Sequence, residues 1–492
     1  MINPSYAELA HAFQPEIILA DGAVLVLAYD LIFGRRRAPG VRLTTSLVLG
    51  ALTLIGALLA SVAVGAVGGV YGNQFVLDDL AVGARCGVLL LALLTLGVAA
   101  GAKPPRHPAE YVAIILFATT GFTVMAAANH LLVAFAALEL ASLSLYVLVG
   151  FDKDRRESAE AALKYFLFGG MATAFLLFGL SLIFGLTGEL ELARIAGALA
   201  HTELPPLLMI ALVMVLVAFA FKAAAAPFHL WAPDAYEGAP TPSAALIASA
   251  SKLAGFTLFL RLLWPGLGGL AGDPANGFGQ AGGWVTIVAL LAGASLLLGN
   301  LAALAQTNLR RLLAYSAIAH TGVMLLGVAV ADVVGFGGLY YYLLTYGVAT
   351  AGAFGVIAVL ERQGGCQKIT DLAGLYRRSP LLAGCLTVFV LSLAGIPPLA
   401  GFFGKFSVFV AALQAGGLAS PLGVLTLLSI ALSAVALYYY LAVLKQALVV
   451  APSENAPTTP LRVPVVSALT LLAAAGLIVA LGLLPSLVLN QF

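Results

Sequence analysis

The chain has 492 residues, 62% of them hydrophobic and 9% charged, with a formal net charge of +2 and a mean hydropathy of +1.05. A soluble domain carries roughly 25% charged residues, so an ordinary soluble protein is excluded, and where the charges sit matters more than their sum. Three cysteines, Cys86, Cys366 and Cys385, form no CxxC pair and offer neither a disulfide framework nor an iron–sulfur site.

The first ten residues, MINPSYAELA, hold one acid and no base. That differs from the positive start of a signal peptide, so the first apolar segment is expected to be retained as a spanning helix. Such a helix needs roughly 20 mainly apolar residues. Fourteen segments qualify: 15–34, 43–67, 80–100, 110–128, 131–150, 160–186, 204–224, 242–263, 282–305, 312–330, 336–360, 381–409, 421–446 and 464–488. The fourth and fifth are separated only by a tight turn around Asn129 and His130, and the seventh and twelfth are interrupted by proline. No polar interval exceeds about twenty residues, which leaves no room for a soluble domain. The expected fold is an all-α polytopic membrane protein with fourteen transmembrane helices.

Charge then predicts orientation. Arg35, Arg36, Arg37, Arg42, Lys103, Arg106, Lys153, Arg155, Arg156, Arg310, Arg311, Arg362, Lys368, Arg377, Arg378, Lys445 and Arg462 fall in or beside alternate loops, 17 basic residues on one side, against Arg194 and Arg261 on the other. The positive-inside rule puts the rich side in the cytoplasm and both termini on the opposite face. Five basic residues remain inside or at the edge of helices: Arg85, Lys164, Lys222, Lys252 and Lys405. Glu139 is the clearest mid-helix acid. Glu16 and Asp21 lie near the far end of the first helix, within reach of water, and read as interfacial rather than conductive.

The stretch FKAAAAPFHLWAPDAYEGAPTPSAALIASASK, residues 221–252, organises the rest. Lys222 ends one apolar run and Lys252 lies within the next, and an unpaired lysine at membrane depth costs several kcal/mol. Pro227 follows Lys222 by five residues and should break that helix, which is tolerated only beside a polar cavity or packed protein. In the twelfth segment Pro397 and Pro398 precede Lys405. The seventh and twelfth helices run oppositely, yet each break falls on the cytoplasmic side of its lysine. An inverted repeat offset by five helices, pairing helices 4–8 with 9–13, would produce this. The chain accordingly divides into a three-helix segment (1–109), two five-helix units (110–263 and 282–446) and a C-terminal helix (464–492).

These residue types suit proton transfer. Burial pushes an amine towards its neutral form and a nearby carboxylate pushes it back, so a Lys222–Glu139 pair of variable separation would be a proton switch; the alternative is a static pair that fixes packing. Lys252 has Ser249, Ser251, Ala250, Ala254 and Gly255 nearby, small neighbours that leave room for ordered water. Lys405 follows the irregular GIPPLAGFFG and reads as a relay or exit group. Lys164, one turn into the sixth helix, either modulates the path or anchors the helix. His320, inside the tenth helix, can pass protons near neutral pH; His229, in PFHLW, either does the same or braces the break. Asp234, Tyr236 and Glu237 shape the following turn. The six histidines are scattered without metal-ligand spacing, and GLGGLAG at 266–272 lacks both the full GxGxxG and a preceding strand, so no nucleotide site is expected.

Several runs resemble a known family: KYFLFGG at 164–170, FKAAAAPFHLWAPDAYEGAPTPSAALIASASKLAGF at 221–256, NLRRLLAYSAIAHTG at 308–322, LYYYLLTYGVATAGAFGV at 339–356, DLAGLYRRSPLLA at 371–383 and LSLAGIPPLAGFFGKF at 391–406. In order and spacing the chain is similar to the subunit N family of bacterial proton-pumping NADH–quinone oxidoreductase (respiratory complex I). The resemblance implies fourteen helices with inverted five-helix repeats, a bacterial inner-membrane location and kinship with monovalent-cation/proton antiporter subunits. It implies that Glu139 is the switch glutamate, Lys222 its partner, Lys252 the central lysine, Lys405 the twelfth-helix lysine and Lys164 the additional one on the sixth. It also implies no cofactor in this subunit, with NADH, flavin, iron–sulfur clusters and the quinone chamber elsewhere in the complex. Partners would be a small adjacent membrane subunit, the next large antiporter-like subunit and lipid, with no nucleic acid. The chain shows no extension long enough for the lateral helix of the family's most distal relative. Two rivals stay open: a subunit of a multi-subunit cation/proton antiporter, against which YEGAPTP and AYSAIAHTG lean, and a structural arm element with no proton path.

Overall fold

In apolar surroundings every backbone N–H and C=O must be satisfied within the protein, which favours helices for a chain of this composition. The computed structural model describes residues 6–200, 206–272, 283–330, 333–452 and 460–490; the expected starts of the seventh and ninth segments, at 204 and 282, lie outside them. Among the described residues, thirteen helices are long and apolar enough to cross a membrane, from Gln14–Gly34 to Val465–Leu483. Two shorter apolar helices, Pro380–Ala394 and Ala400–Gly416, occupy the twelfth expected segment. Proline falls in the first turn of several helices, where its missing N–H has no intrahelical partner to lose. Asp78, Asn308 and Ser420 cap their helices through side-chain oxygens.

Three local features go beyond the sequence reading. Gly68–Val70 and Phe75–Leu77 form an antiparallel hairpin between the second and third spans, with Gly68 opposite Leu77. Asn129 bonds this hairpin twice, through its N–H to Gln74 O and its side chain to Asn73 O. The tight turn expected at Asn129 therefore also fastens the hairpin. A short helix, Leu192–Leu199, follows the sixth span. The eighth span, expected to be continuous, is divided at Ser249 (φ −114°, ψ −85°) into Thr241–Ala248 and Ala250–Arg261. The Ser249 hydroxyl donates back to Ala245 O at 2.6 Å, the local competition with the helix ladder that serine permits.

Burial separates an inner from an outer set. The most apolar stretches of Thr241–Gly266 and Phe336–Gly364 are wholly buried and that of Leu309–Ala329 nearly so, whereas Gln14–Gly34 and Arg156–Thr187 bury about a third. Lys252 and His320 thus stand on interior helices. Glu139, itself half-buried, belongs to Leu131–Val149 and stands at the edge of the exposed face formed by Leu132, Leu140, Leu143 and Val147. The ninth and tenth helices approach closely at Gly299, where a Cβ would come within 2.4 Å of Ala319 N. This contact, one residue before His320, seats the tenth helix on the ninth within the expected second five-helix unit.

Candidate functional site

The seventh helix, Pro206–Ala223, ends one residue after Lys222. Ala224 adopts φ +57° and the Ala226–Pro227 bond is cis. The groups freed by the break find partners: Ala226 N–H donates to Ser295 Oγ (2.9 Å), Phe221 O accepts from Trp231 Nε1 (3.0 Å) and Ala223 O accepts from Thr321 Oγ1 (2.9 Å). Lys222 is 8% exposed and its Nζ donates to Ser142 Oγ at 3.2 Å. Glu139, one turn before Ser142 on the same helix face, accepts from Thr173 Oγ1 at 2.7 Å. Lys222 and Glu139 make no ion pair within 4.0 Å; each is held by a hydroxyl, and Ser142 stands at the lysine end of the gap.

Lys222 and Lys252 share a cavity of about 10 Å³, lined otherwise by Phe219, Ala223, Gly255, Phe256 and Phe259. That is room for roughly one water. Lys252 Nζ donates to Ala317 O (2.9 Å) and Thr321 Oγ1 (2.6 Å) and lies 5.4 Å from the centre of the Tyr346 ring. Thr321 therefore joins Lys252 to the carbonyl opened by the break beside Lys222. It lies inside AYSAIAHTG, where the sequence points to the histidine alone, because a threonine in an apolar helix ordinarily bonds its own preceding turn. Thr321 is also 2.9 Å from Ala317 O.

His320 is flanked by two tyrosines, with Nδ1 2.5 Å from Tyr342 Oη and Nε2 3.0 Å from Tyr440 Oη, and Tyr440 in turn bonds Ser316. A second cavity of about 10 Å³ places His320 and Lys405 on one wall set with Asn300, Ser429, Ser433 and Tyr439. Lys405 Nζ donates to Leu393 O (3.1 Å) and Ala394 O (3.3 Å), the last carbonyls of Pro380–Ala394. The negative end of that half-helix thus solvates the ammonium. Gly395 turns the chain there at φ +85°, and a Cβ on it would lie 3.2 Å from the lysine Cδ. The three lysines are bonded to hydroxyls and carbonyls, none to a carboxylate.

Lys164 is placed differently. Its side chain is 41% exposed and pairs with Glu160 (2.8 Å) and Asp234 (2.7 Å). Asp234 also pairs with Arg311 (2.9 Å), which holds Glu237 (2.9 Å), and Asn308 completes the cluster on Glu237. Asp234 and Glu237 therefore tie the segment after the break to the sixth and tenth helices, which exceeds the turn-shaping role expected of them. Tyr236 contributes its backbone carbonyl to Arg310. His229 is buried with Nδ1 lacking a protein hydrogen bond; the structure does not bring it to the lysine cavities. Glu16 corrects an expectation. Rather than meeting water at the interface it is 6% exposed, 3.0 Å from Arg85, because the hairpin and the fourth helix cover that end of the first span; Asp21 is exposed.

Burial works to raise the Asp234 carboxyl, but hydrogen bonds from Lys164 and Arg311 hold it below the usual carboxylate range. A depressed carboxylate contributes stability above its unfolded value and loses it as pH falls through the folded one. Asp234→Asn is therefore expected to cost about 1 kcal/mol near neutrality, the scale of a partly exposed ionic network. In thermal unfolding of detergent-solubilised protein, the gap to the parent should close as pH drops below about 4.

A family model described as NADH:quinone oxidoreductase/Mrp antiporter, TM, matches residues 128–435. NADH-quinone oxidoreductase subunit N 2 of Acidobacterium capsulatum is 47% identical, with 99% of each chain covered. Subunit N 1 of Roseiflexus castenholzii is 37% identical over 96% of this chain and 95% of its own. The chain belongs to the NADH-quinone oxidoreductase subunit N family. A chain in respiratory complex I from Thermus thermophilus superposes with a TM-score of 0.79 at 35% identity, covering 97% of this chain and 98% of that one. A chain of the Mrp complex from Dietzia sp. reaches a TM-score of 0.83 at 23% identity, over 99% and 96% of the two chains, which is a likeness of fold alone. Within this subunit N relative, Glu139, Lys164, Lys222, His229, Lys252, His320 and Lys405 all fall inside the matched span, whereas Glu16 and Arg85 precede it.

Proposed function

We propose that the chain is an antiporter-like, proton-translocating subunit in the membrane arm of an NADH–quinone oxidoreductase, without redox chemistry of its own. The observation that carries this reading is the row of buried amines, Lys222, Lys252 and Lys405, solvated by neutral oxygens, with one water-sized cavity shared by Lys222 and Lys252 and another by His320 and Lys405. An amine held by neutral dipoles can lose and regain a proton without stranding a paired carboxylate. Protons enter at the arginine-rich, cytoplasmic face, rest on Lys252, and move through His320 to Lys405. Movement of Lys222 between Ser142 and Glu139 raises or lowers the charge beside Lys252, which is the switch.

In this reading the two five-helix units, 110–263 and 282–446, are inverted repeats, and each supplies one broken helix and its lysine. Both termini face the periplasm across a bacterial inner membrane. The partners are a small membrane subunit, the next large antiporter-like subunit and lipid, while NADH, flavin, iron–sulfur clusters and quinone are bound by other subunits. Copurification tests the assignment: NADH–quinone activity should travel with a tagged chain. Recovery with antiporter subunits alone would replace it with the cation/proton antiporter reading, which shares the fold.

Glu139→Gln tests the switch. The amide still accepts from Thr173, so the fold persists while the charge that draws Lys222 is removed. Proton uptake by proteoliposomes containing the complex should fall, but less than for loss of Lys222, because water still occupies the path. A larger defect for Glu139→Gln than for Lys222→Met would contradict the assignment.

A further inference from the structure

Glu16 and Arg85 are buried charges that the path above does not use. Glu16 belongs to the first span and Arg85 to the third, with side chains 8% and 1% exposed and 3.0 Å apart. Neither Glu16 oxygen, and neither Nε nor Nη2 of Arg85, makes an aligned hydrogen bond to protein. A static buried pair is stable only when its remaining valences are satisfied, and here the polar neighbours of Glu16 are Arg85 and the Thr123 hydroxyl, neither in aligned hydrogen-bond geometry. The surroundings carry the charge onward. Arg261, at the end of Ala250–Arg261, bonds Ala126 O (2.5 Å) and pairs with Asp78, the half-exposed cap of the third span.

The two antiparallel helices give the spacing. At a rise of 1.5 Å per residue, Arg85 lies roughly 10 Å along the third span from Asp78, and Lys252 roughly 13 Å along the eighth from Arg261. The register is fixed by Gly87, whose added Cβ would come within 2.7 Å of Leu253 Cδ2. The Glu16–Arg85 pair therefore stands between the level of Lys252 and the surface that carries Asp78.

Resting on the proton-path reading, we infer that Glu16 is a relay carboxylate through which protons leave the mid-membrane amines for the face bearing Asp78. A proton is accepted on a Glu16 oxygen from water on the Lys252 side and released to water on the Asp78 side; only O–H bonds form and break. Arg85 holds the carboxylate in position between transfers, and Arg261 with Asp78 sets the field at the mouth.

The test uses the assembled complex in proteoliposomes, reading NADH oxidation and lumenal proton uptake together. Glu16→Gln should lose proton uptake several-fold and slow coupled NADH oxidation, while Glu16→Asp recovers part of both. The double variant Glu16→Gln/Arg85→Met separates a relay from a brace. Neutralising both members of a structural pair is well tolerated, so a brace predicts that the double variant pumps like the parent, which would overturn the inference even if the single variant fails to assemble. A relay predicts that the assembled double variant stays defective. Normal pumping by Glu16→Gln alongside a defective Lys252→Ala would also overturn this inference and leave the proposed function standing; normal pumping by both would remove the two together.

Discussion

Lys222→Met is expected to lower proton transport and coupled NADH oxidation while the complex assembles normally. Methionine keeps the length of the lysine stem, so the wall of the cavity shared with Lys252 and its packing are conserved. Only the donor to Ser142 disappears, and a serine hydroxyl in a helix readily turns to its own preceding carbonyl. The structural cost should be about 1 kcal/mol. The functional cost should be larger, because removing a positioned proton-transfer group slows the step it serves by roughly 10²–10⁴-fold. Other conducting routes in a large complex would soften this to a partial loss in the overall rate. Uptake of protons into proteoliposomes, normalised to assembled complex on native gels, gives the answer. Loss of assembly with normal pumping by the remaining complex would make Lys222 a packing residue.

Lys252→Ala should be the more severe change. The side chain is buried, and Ala317 O and the Thr321 hydroxyl both lose its ammonium. Truncating a side chain of this size in a packed interior costs roughly 2–5 kcal/mol if the space stays empty, less if water enters between the remaining polar groups. Proton uptake should be nearly abolished in whatever fraction assembles. Lys252→Met separates the two contributions, since it restores volume without charge: recovered assembly with absent pumping marks the amine as the working group, whereas recovered pumping marks the volume.

Much of this was legible before any coordinates. Length and apolarity located the helices, and Pro227 and Pro397–Pro398 located two breaks, because a missing N–H leaves no alternative. The lysines were visible because charge is rare in such a sequence. The division of the eighth helix at Ser249 was not, since serine only competes with the helix and its neighbours decide whether it wins. Thr321 is silent in the sequence for a related reason: its importance comes from a carbonyl 98 residues away, on Ala223. The burial of Glu16 is not legible either, because distance along a helix says nothing about what covers it, and both Thr123 and Arg85 reach it from elsewhere in the chain. The separation of Glu139 from Lys222, with hydroxyls of two other side chains between and beside them, likewise lives in three dimensions.

Thr321 carries one hydroxyl hydrogen and sits 2.9 Å from two carbonyls, one at the broken end of the seventh helix and one on its own helix. A single hydrogen satisfies one of them at a time, and its lone pairs meanwhile face the Lys252 ammonium. Rotation about one bond therefore swaps which half of the molecule the threonine is fastened to. The hydroxyl thus has two positions beside an amine in the middle of the protein, and passing between them moves no net charge.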